Sequence, residues 1–161
     1  MSKKEDKSEH RLTPHFTLEE LTRTSARDKD GNPTDNTPAP EIVKNLRWLA
    51  ENYLEYIREK TGQPVIINSG YRSPEVNKAV GGATASIHLQ GLAVDINCNG
   101  SVPLAANIIK CIEDRYLSDS RYGYHELYLC VRPKTRSLWI HLSVNKVMWR
   151  NGLHCKVLVY K

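Results

Sequence analysis

No run of about 18 apolar residues, the length that a membrane-spanning helix needs, is present in the sequence. The first residues, Met1 to Lys7, are polar and charged, without the apolar stretch of a secretory signal peptide. We therefore expect no membrane partner and a chain that is cytoplasmic as synthesised.

Closely paired cysteines are also missing. The four cysteines are far apart and include no C-x-x-C pair: Cys98, Cys111, Cys130 and Cys155. This spacing argues against a zinc site built from cysteines alone and against a thioredoxin-like redox motif. We expect reduced thiols that are mostly buried as small apolar groups.

The sequence also lacks a cluster of lysines and arginines. The net charge is +5 and the pI is about 9.0, but lysines and arginines are scattered along the chain rather than interleaved with aromatic residues. A nucleic-acid-binding surface usually concentrates them, so we expect no nucleic-acid partner. The mild basic excess suits the approach to another anionic polymer equally well.

The 161 residues are enough for one domain with one hydrophobic core. Residues 1–14 are mostly polar and are predicted to be a disordered leader, and residues 15–161 are predicted to form the domain.

Apolar spacing and capping residues place helices mostly first and strands mostly last. A capping box at Thr17 and Glu20 predicts a short helix, and Ser73-Pro74 predicts the start of another. Longer amphipathic helices are predicted over 41–60 and 103–116. Strands are predicted over 65–70, 92–96, 126–131, 138–144 and 156–160, with a hairpin at 132–137. The expected class is α+β, a single domain with helices packed on a small, mainly antiparallel sheet.

Histidine and aspartate occur where apolar residues are expected. His88 and Asp95 are separated by six residues that include Gly91, and Asp95 and His141 each interrupt an otherwise apolar strand. An unpaired charge in such a strand is costly, and a metal ion would compensate it. Two imidazoles and one carboxylate suit catalytic zinc, because they leave a fourth position for a water molecule. The spacing also allows structural roles, a hydrogen-bonded core histidine or an aspartate paired with arginine.

Several blocks resemble the zinc D-Ala-D-Ala carboxypeptidase family, which includes L-Ala-D-Glu endopeptidases of phage endolysins and is related to the hedgehog amino-terminal domain. They are I-N-S-G-Y-R-S at 67–73, N-K-A-V-G-G at 77–82, S-I-H-L-Q-G-L-A-V-D at 86–95 and W-I-H at 139–141. The blocks follow the family's order, and the resemblance extends from about Phe16 to the carboxyl terminus.

The resemblance implies zinc ligands at His88, Asp95 and His141. It matches Arg72 with the arginine that faces the substrate carboxylate or the scissile carbonyl, a task that suits a guanidinium fork. It matches Ser86 with a serine that lines the site. Arg72 could instead form a structural salt bridge, and Ser86 could be a simple turn residue.

The family pattern fails at one position. Where the family has its catalytic glutamate, the segment Tyr124 to Cys130 ends on Cys130. Glu126 has the same strand parity and is our candidate base, but four strand residues span about 13 Å, too far without a bulge or an alignment shift. His125 would serve only if the register slipped by one residue. Cys130 could otherwise be a fourth zinc ligand, or a buried thiol in a site of reduced activity.

The resemblance therefore implies that residues 15–161 form a zinc metallopeptidase domain that hydrolyses peptidoglycan stem peptides, as a D,D-carboxypeptidase or an endolysin-type endopeptidase. The alternative is a catalytically weak or inactive, zinc-stabilised module that binds peptidoglycan. We expect a monomer whose partner is peptidoglycan peptide, and which acts on the cell wall if released, as phage lysins are.

Overall fold

The computed structural model describes residues 10–144 and 155–161, and it confirms the α+β class and single domain. The α-helices are α1 (Leu18–Thr22), α2 (Pro40–Leu49), α3 (Glu55–Thr61), α4 (Pro74–Ala79) and α5 (Val102–Ser118). The strands are β1 (Ile66–Ser69), β2 (Ala93–Asn97), β3 (Glu126–Arg132), β4 (Ser137–Ser143) and β5 (Lys156–Val159). Three 3₁₀ turns cover Ile87–Gln90, Ser120–Tyr122 and Pro133–Thr135.

The five strands form one sheet in the order β1-β2-β4-β3-β5. All pairs are antiparallel except β3 with β5, which is parallel. The predicted hairpin joins β3 and β4 through the 3₁₀ turn, where Arg136 takes a left-handed conformation with φ 55°. The mainly antiparallel sheet is therefore confirmed.

The predicted helix over 41–60 is a helical stretch from Pro40 to Thr61, with a π-helical segment at Ala50–Leu54 between α2 and α3. Leu46, Leu49 and Tyr53 are buried along it, as the apolar spacing predicts. Gly62 ends the stretch in the left-handed conformation, with φ 64°, which glycine adopts without steric cost.

Both predicted caps of the short helices are confirmed. The Thr17 hydroxyl accepts a hydrogen bond from the Glu20 backbone N–H, and the Glu20 carboxylate accepts one from the Thr17 backbone N–H. The Ser73 hydroxyl accepts from the Val76 N–H at the start of α4. These bonds satisfy backbone donors that have no partner within the helix.

The predicted leader overlaps the folded domain. Residues 1–9 lie outside the described residues, but Leu12 and Thr13 are buried, with 4% and 5% of their surface exposed. The Leu12 carbonyl accepts a hydrogen bond of 2.5 Å from Arg47 in α2. The prediction that the leader extends to residue 14 is therefore wrong for residues 12 and 13, because a mostly polar composition concealed one apolar side chain that packs on the core.

The two faces of the sheet have different roles. Along β4, Leu138, Ile140 and Leu142 are buried in the core that the helices cover, because alternate strand residues point to opposite faces. The residues between them face the other side, where the candidate site lies. No helix among the described residues is long and apolar enough to cross a membrane.

Candidate metal centre

A groove crosses the face of the sheet opposite the helical core. It encloses about 510 Å³ between the segments 80–83 and 85–88 on one side and β2, β3 and β4 on the other, with the end of β5 at one end. The groove contains every residue that the sequence predicts for the site, namely Arg72, Ser86, His88, Asp95, Glu126 and His141.

Three elements bring the predicted metal ligands together at the base of this groove. His88 lies in a 3₁₀ turn, Asp95 in β2 and His141 in β4, and Asp95 is paired directly with His141 across the two strands. Their ligand atoms all lie within 4.8 Å of one another. The strand register and the Gly91 turn thus unite side chains that are far apart in sequence.

The His88 ring is held by its own loop. The turn reverses at Gly91, which has φ 68° and packs so closely on Ile42 that a Cβ atom there would lie 3.0 Å from the isoleucine side chain. The His88 Nδ1 lies 2.6 Å from the Gly70 carbonyl oxygen, to which Nδ1–H donates. The opposite nitrogen, Nε2, therefore faces Asp95, with 3.5 Å between Nε2 and Oδ2.

The Asp95 carboxylate is the centre of the cluster. Its Oδ1 lies 2.8 Å from His141 Nδ1, and its Oδ2 accepts a hydrogen bond of 3.1 Å from Arg72 Nη2. Burial alone would raise the pKa of Asp95, but the hydrogen bonds and charges of His141 and His88 outweigh it and hold that pKa well below its ordinary value of 3.8. The carboxylate is therefore ionised throughout the neutral range.

His141 lies between two carboxylates. Its Nδ1 faces Asp95, while its Nε2 lies 3.2 Å from Glu126 Oε2, and Tyr128 stacks on the ring with 5.6 Å between centroids. Burial lowers the pKa of His141, but the two carboxylates more than compensate and the pKa rises above its ordinary value of 6.5.

The donor set fits a metal such as zinc. Two imidazole nitrogens and a carboxylate oxygen converge, and the remaining nitrogen of each ring donates to a fixed oxygen, the Gly70 carbonyl for His88 and Glu126 for His141. Such outer partners orient histidine ligands and fix which nitrogen is free to bind the metal. The ionised Asp95 supplies the negative charge that a buried dication needs.

Arg72 has a position compatible with both of the roles that the sequence left open. Its Nε donates to Ser69 Oγ at 3.0 Å and its Nη2 to Asp95 at 3.1 Å, so it does form a salt bridge. It also lines the groove, where it is partly exposed. A guanidinium with five N–H donors can hold Asp95 and still present N–H groups to a ligand.

Ser86 likewise has a turn contact and a place in the groove wall. Its hydroxyl accepts a hydrogen bond of 3.3 Å from the His88 N–H, which caps the 3₁₀ turn. This contact helps to position the His88 backbone, and Ser86 is one of the residues that line the groove.

Glu126, the candidate base, reaches His141 without a bulge in β3, although it lies four residues from Cys130. Register explains this, because His141 pairs with Tyr128, midway between Glu126 and Cys130 on β3. The Glu126 carboxylate accepts from Tyr128 Oη at 3.0 Å and from Ser143 Oγ at 3.1 Å, in addition to His141. Burial would raise the pKa of Glu126, but these hydrogen bonds together lower it.

Cys130 is buried in the groove wall, with 1% of its surface exposed. Its thiol does not belong to the metal-ligand cluster found among the described residues, so the structure does not support Cys130 as a fourth ligand. Burial and the nearby Asp95 charge raise the pKa of the thiol to about 11, which leaves it neutral at neutral pH. The backbone N–H of His125, the other alternative, donates to the Ser143 carbonyl at 2.8 Å, and its ring lies near the Ser143 hydroxyl.

The sequence interpretation missed four groove residues, Tyr128, Arg132, Trp139 and Tyr160. Strand alternation could have identified the first three, because Tyr128 and Arg132 share the parity of Glu126, and Trp139 shares that of His141. Tyr160 gave no such signal, since its position depends on β5 pairing with β3.

The fold and the site define an α+β domain with a candidate metal centre of two histidines and one aspartate in an open groove. The model of the peptidase M15 family matches residues 14–131, well over half of the chain. The chain therefore belongs to this family, the zinc D-Ala-D-Ala carboxypeptidase family that its motifs resemble. The match includes His88 and Asp95 and ends before His141, which the structure adds to the cluster. A search of curated proteins found no match to the chain.

Proposed function

We propose that this protein is a zinc metallopeptidase that hydrolyses peptide bonds in peptidoglycan stem peptides, as a D,D-carboxypeptidase or an endolysin-type endopeptidase. The observation that carries the proposal is the convergence of His88, Asp95 and His141 at the base of an open groove. Membership of a peptidase family supports the hydrolytic class.

The groove residues have different roles in the proposed reaction. Zinc held by the three ligands would polarise the peptide carbonyl and make a water molecule more acidic. In this proposal Arg72 holds a carboxylate or carbonyl oxygen of the peptide, and Ser86, which also lines the groove, contacts the substrate. Glu126, the carboxylate of the groove that is not a proposed ligand, accepts the proton.

The proton acceptor limits the rate. Both Glu126 oxygens already accept hydrogen bonds, and the carboxylate approaches His141 at Nε2, on the side of the ring away from Asp95. Glu126 must leave His141 before it can take a proton from the reacting water. Since a well-placed general base contributes roughly a hundred- to ten-thousand-fold, we expect slow turnover.

Digestion of purified peptidoglycan tests the proposal. Zinc-loaded protein should release new amino or carboxyl termini, detected by mass spectrometry, and chelation or His88→Ala should abolish their release. His10→Ala is a matched control, because His10 is exposed and lies outside the groove. No new termini with zinc-loaded wild-type protein would refute the peptidase proposal.

The second candidate is a zinc-stabilised module that binds peptidoglycan with little or no cleavage. The neutral, buried thiol of Cys130 favours it, because the position of the family's base then carries no group that accepts a proton. Sedimentation of the protein with insoluble peptidoglycan distinguishes the candidates. Zinc-dependent co-sedimentation without new termini would support the module.

We also propose that the protein acts as a monomer on peptidoglycan peptide, without nucleic-acid or membrane partners. Synthesis in the cytoplasm followed by release to the wall, as for phage lysins, is part of the same proposal. Size-exclusion chromatography with light scattering tests the monomer, and a salt-dependent gel shift with duplex DNA would contradict the absence of nucleic-acid binding.

A further inference from the structure

The end of the groove beside β5 holds an arginine against two aromatic rings. The Arg132 guanidinium carbon lies 5.5 Å from the centre of the Trp139 ring and 5.8 Å from that of Tyr160. The two rings stack on each other, with 5.2 Å between centroids and an interplanar angle of 30°. Both distances to the guanidinium are within the range of a cation–π interaction.

The strands hold this cluster on the same face as the metal centre. Arg132 follows Cys130 by two residues on β3, and Trp139 precedes His141 by two residues on β4. Because alternate strand residues point to the same face, Arg132 lies on the face of Cys130 and Trp139 on the face of His141. The Tyr160 backbone N–H donates to the Val131 carbonyl at 2.8 Å, and the Tyr160 side chain hydrogen-bonds with the Cys130 thiol. The aromatic pair therefore has a fixed position.

The charge of Arg132 is uncompensated within the described residues. Across 10–144 and 155–161 it has no carboxylate within ion-pair distance, whereas Arg72 contacts Asp95 at 3.1 Å. The two carboxylates of the groove, Asp95 and Glu126, are both bound to His141. Arg132 thus offers a positive charge and free N–H groups to a ligand that enters the groove.

We propose that Arg132, positioned by Trp139 and Tyr160, is a subsite for a carboxylate of the bound peptide. That the ligand is a peptide rests on the proposed function. Tyr128 pairs with His141, and Arg132 lies four residues further along β3. Four strand residues span about 13 Å, so the distance from the metal centre to Arg132 corresponds to about four residues of an extended peptide. The subsite therefore selects a peptide with an acidic group up to about four residues from the bond that faces the metal centre.

A carboxylate fits better than a sugar ring at this position. One face of each ring is occupied by the other ring, and the guanidinium lies within cation–π distance of both, so this cluster presents a cation beside its aromatic surface. The planar guanidinium keeps its N–H edges, which match the two oxygens of a carboxylate.

Calorimetric titration tests the subsite with a peptidoglycan stem peptide in two forms, one with free carboxylates and one with its side-chain carboxylates amidated. The zinc-loaded full chain carries Glu126→Gln, which slows hydrolysis during the titration. This protein should bind the free acid about tenfold more tightly than the amide, since one charge-assisted contact is lost. Adding Arg132→Gln should abolish that difference, and Arg136→Gln, a matched loss of charge outside the groove, should preserve it.

A preference for the free acid that survives Arg132→Gln would overturn the subsite. Tyr160→Ala should weaken the preference and Tyr160→Phe should keep most of it, because only the first removes the ring; equal effects would contradict positioning by the aromatic pair. If the protein binds neither form of the peptide, the proposed function fails as well. Binding of both forms without any preference refutes the subsite alone.

Discussion

The contact between Glu126 and His141 makes a sharp prediction about zinc affinity. In Glu126→Ala, His141 Nε2 loses the oxygen that lies 3.2 Å away, and the ring can then turn or change the nitrogen that carries its proton. The Ser143 hydroxyl, on a fully buried residue, loses its 3.1 Å acceptor at the same time. Glu126→Gln keeps a carbonyl oxygen in reach of both donors.

The size of the effect follows from what the carboxylate does. Loss of an outer partner of a histidine ligand typically weakens metal binding about 10- to 100-fold, equivalent to about 1.4–2.7 kcal/mol. We expect this loss for Glu126→Ala and a loss of less than about fivefold for Glu126→Gln, which retains the hydrogen bond but not the charge. Hydrolysis should respond differently, because an amide cannot accept a proton. Glu126→Gln should lower kcat about a hundredfold or more while zinc stays bound.

Competition with a chromophoric zinc chelator measures the affinity of each variant, and thermal unfolding without metal shows whether each variant folds. Glu59→Ala serves as the control, because its side chain is 74% exposed and distant from the groove. Unchanged zinc affinity in Glu126→Ala, in a folded protein, would refute the idea that Glu126 orients His141. Equal losses for alanine and glutamine would show that charge, not the hydrogen bond, is what matters.

Three further predictions concern the base, pH and the amino-terminal contact. Cys130→Glu should raise hydrolysis about a hundredfold or more by restoring a carboxylate at the family position, and unchanged turnover of zinc-loaded protein would contradict this. In metal-free protein, the pKa of His141 is raised above its ordinary value of 6.5 and that of Asp95 is lowered below its ordinary value of 3.8. The stabilisation linked to both groups is therefore complete between pH 3.8 and pH 6.5. The Tm should therefore fall as pH rises through the pKa of His141 and again in acid below 3.8, and a His141→Asn variant should lose the first of these decreases. Leu12→Ala should lower the free energy of unfolding by about 2–5 kcal/mol in urea titrations, and a loss below about 1 kcal/mol would show that Leu12 is not part of the core.

The sequence was sufficient to single out the three residues that the structure brings together, because the family resemblance matches them and their chemistry conflicts with their surroundings. A charged Asp95 in an apolar strand and histidines at turn and strand positions require an explanation that a metal site provides. Helices with clear caps or periodicity, such as those after Thr17 and Ser73, were equally predictable from local interactions.

Long-range register was not predictable from local pattern. The contact of Glu126 with His141 depends on which residue of β4 pairs with Tyr128, and Tyr160 reaches the groove only because β5 pairs in parallel with β3. The π-helical segment after Leu49 also leaves no trace in the apolar spacing, which fits a continuous α-helix equally well. The first two features are decided by the register and partner choice of the strands, which a local pattern does not fix.

Strand β4 supplies alternate residues to the core and to the groove, and this arrangement restricts how the protein can change. Inserting or deleting one residue within the strand would place His141 among the core side chains and Ile140 in the groove. Single-residue length changes inside β4 should therefore disrupt the core and separate the three candidate ligands at the same time, so any that persist should occur in the turn around Pro133–Thr135. For protein engineering, this turn is the place where segments can be grafted without shifting the metal ligands.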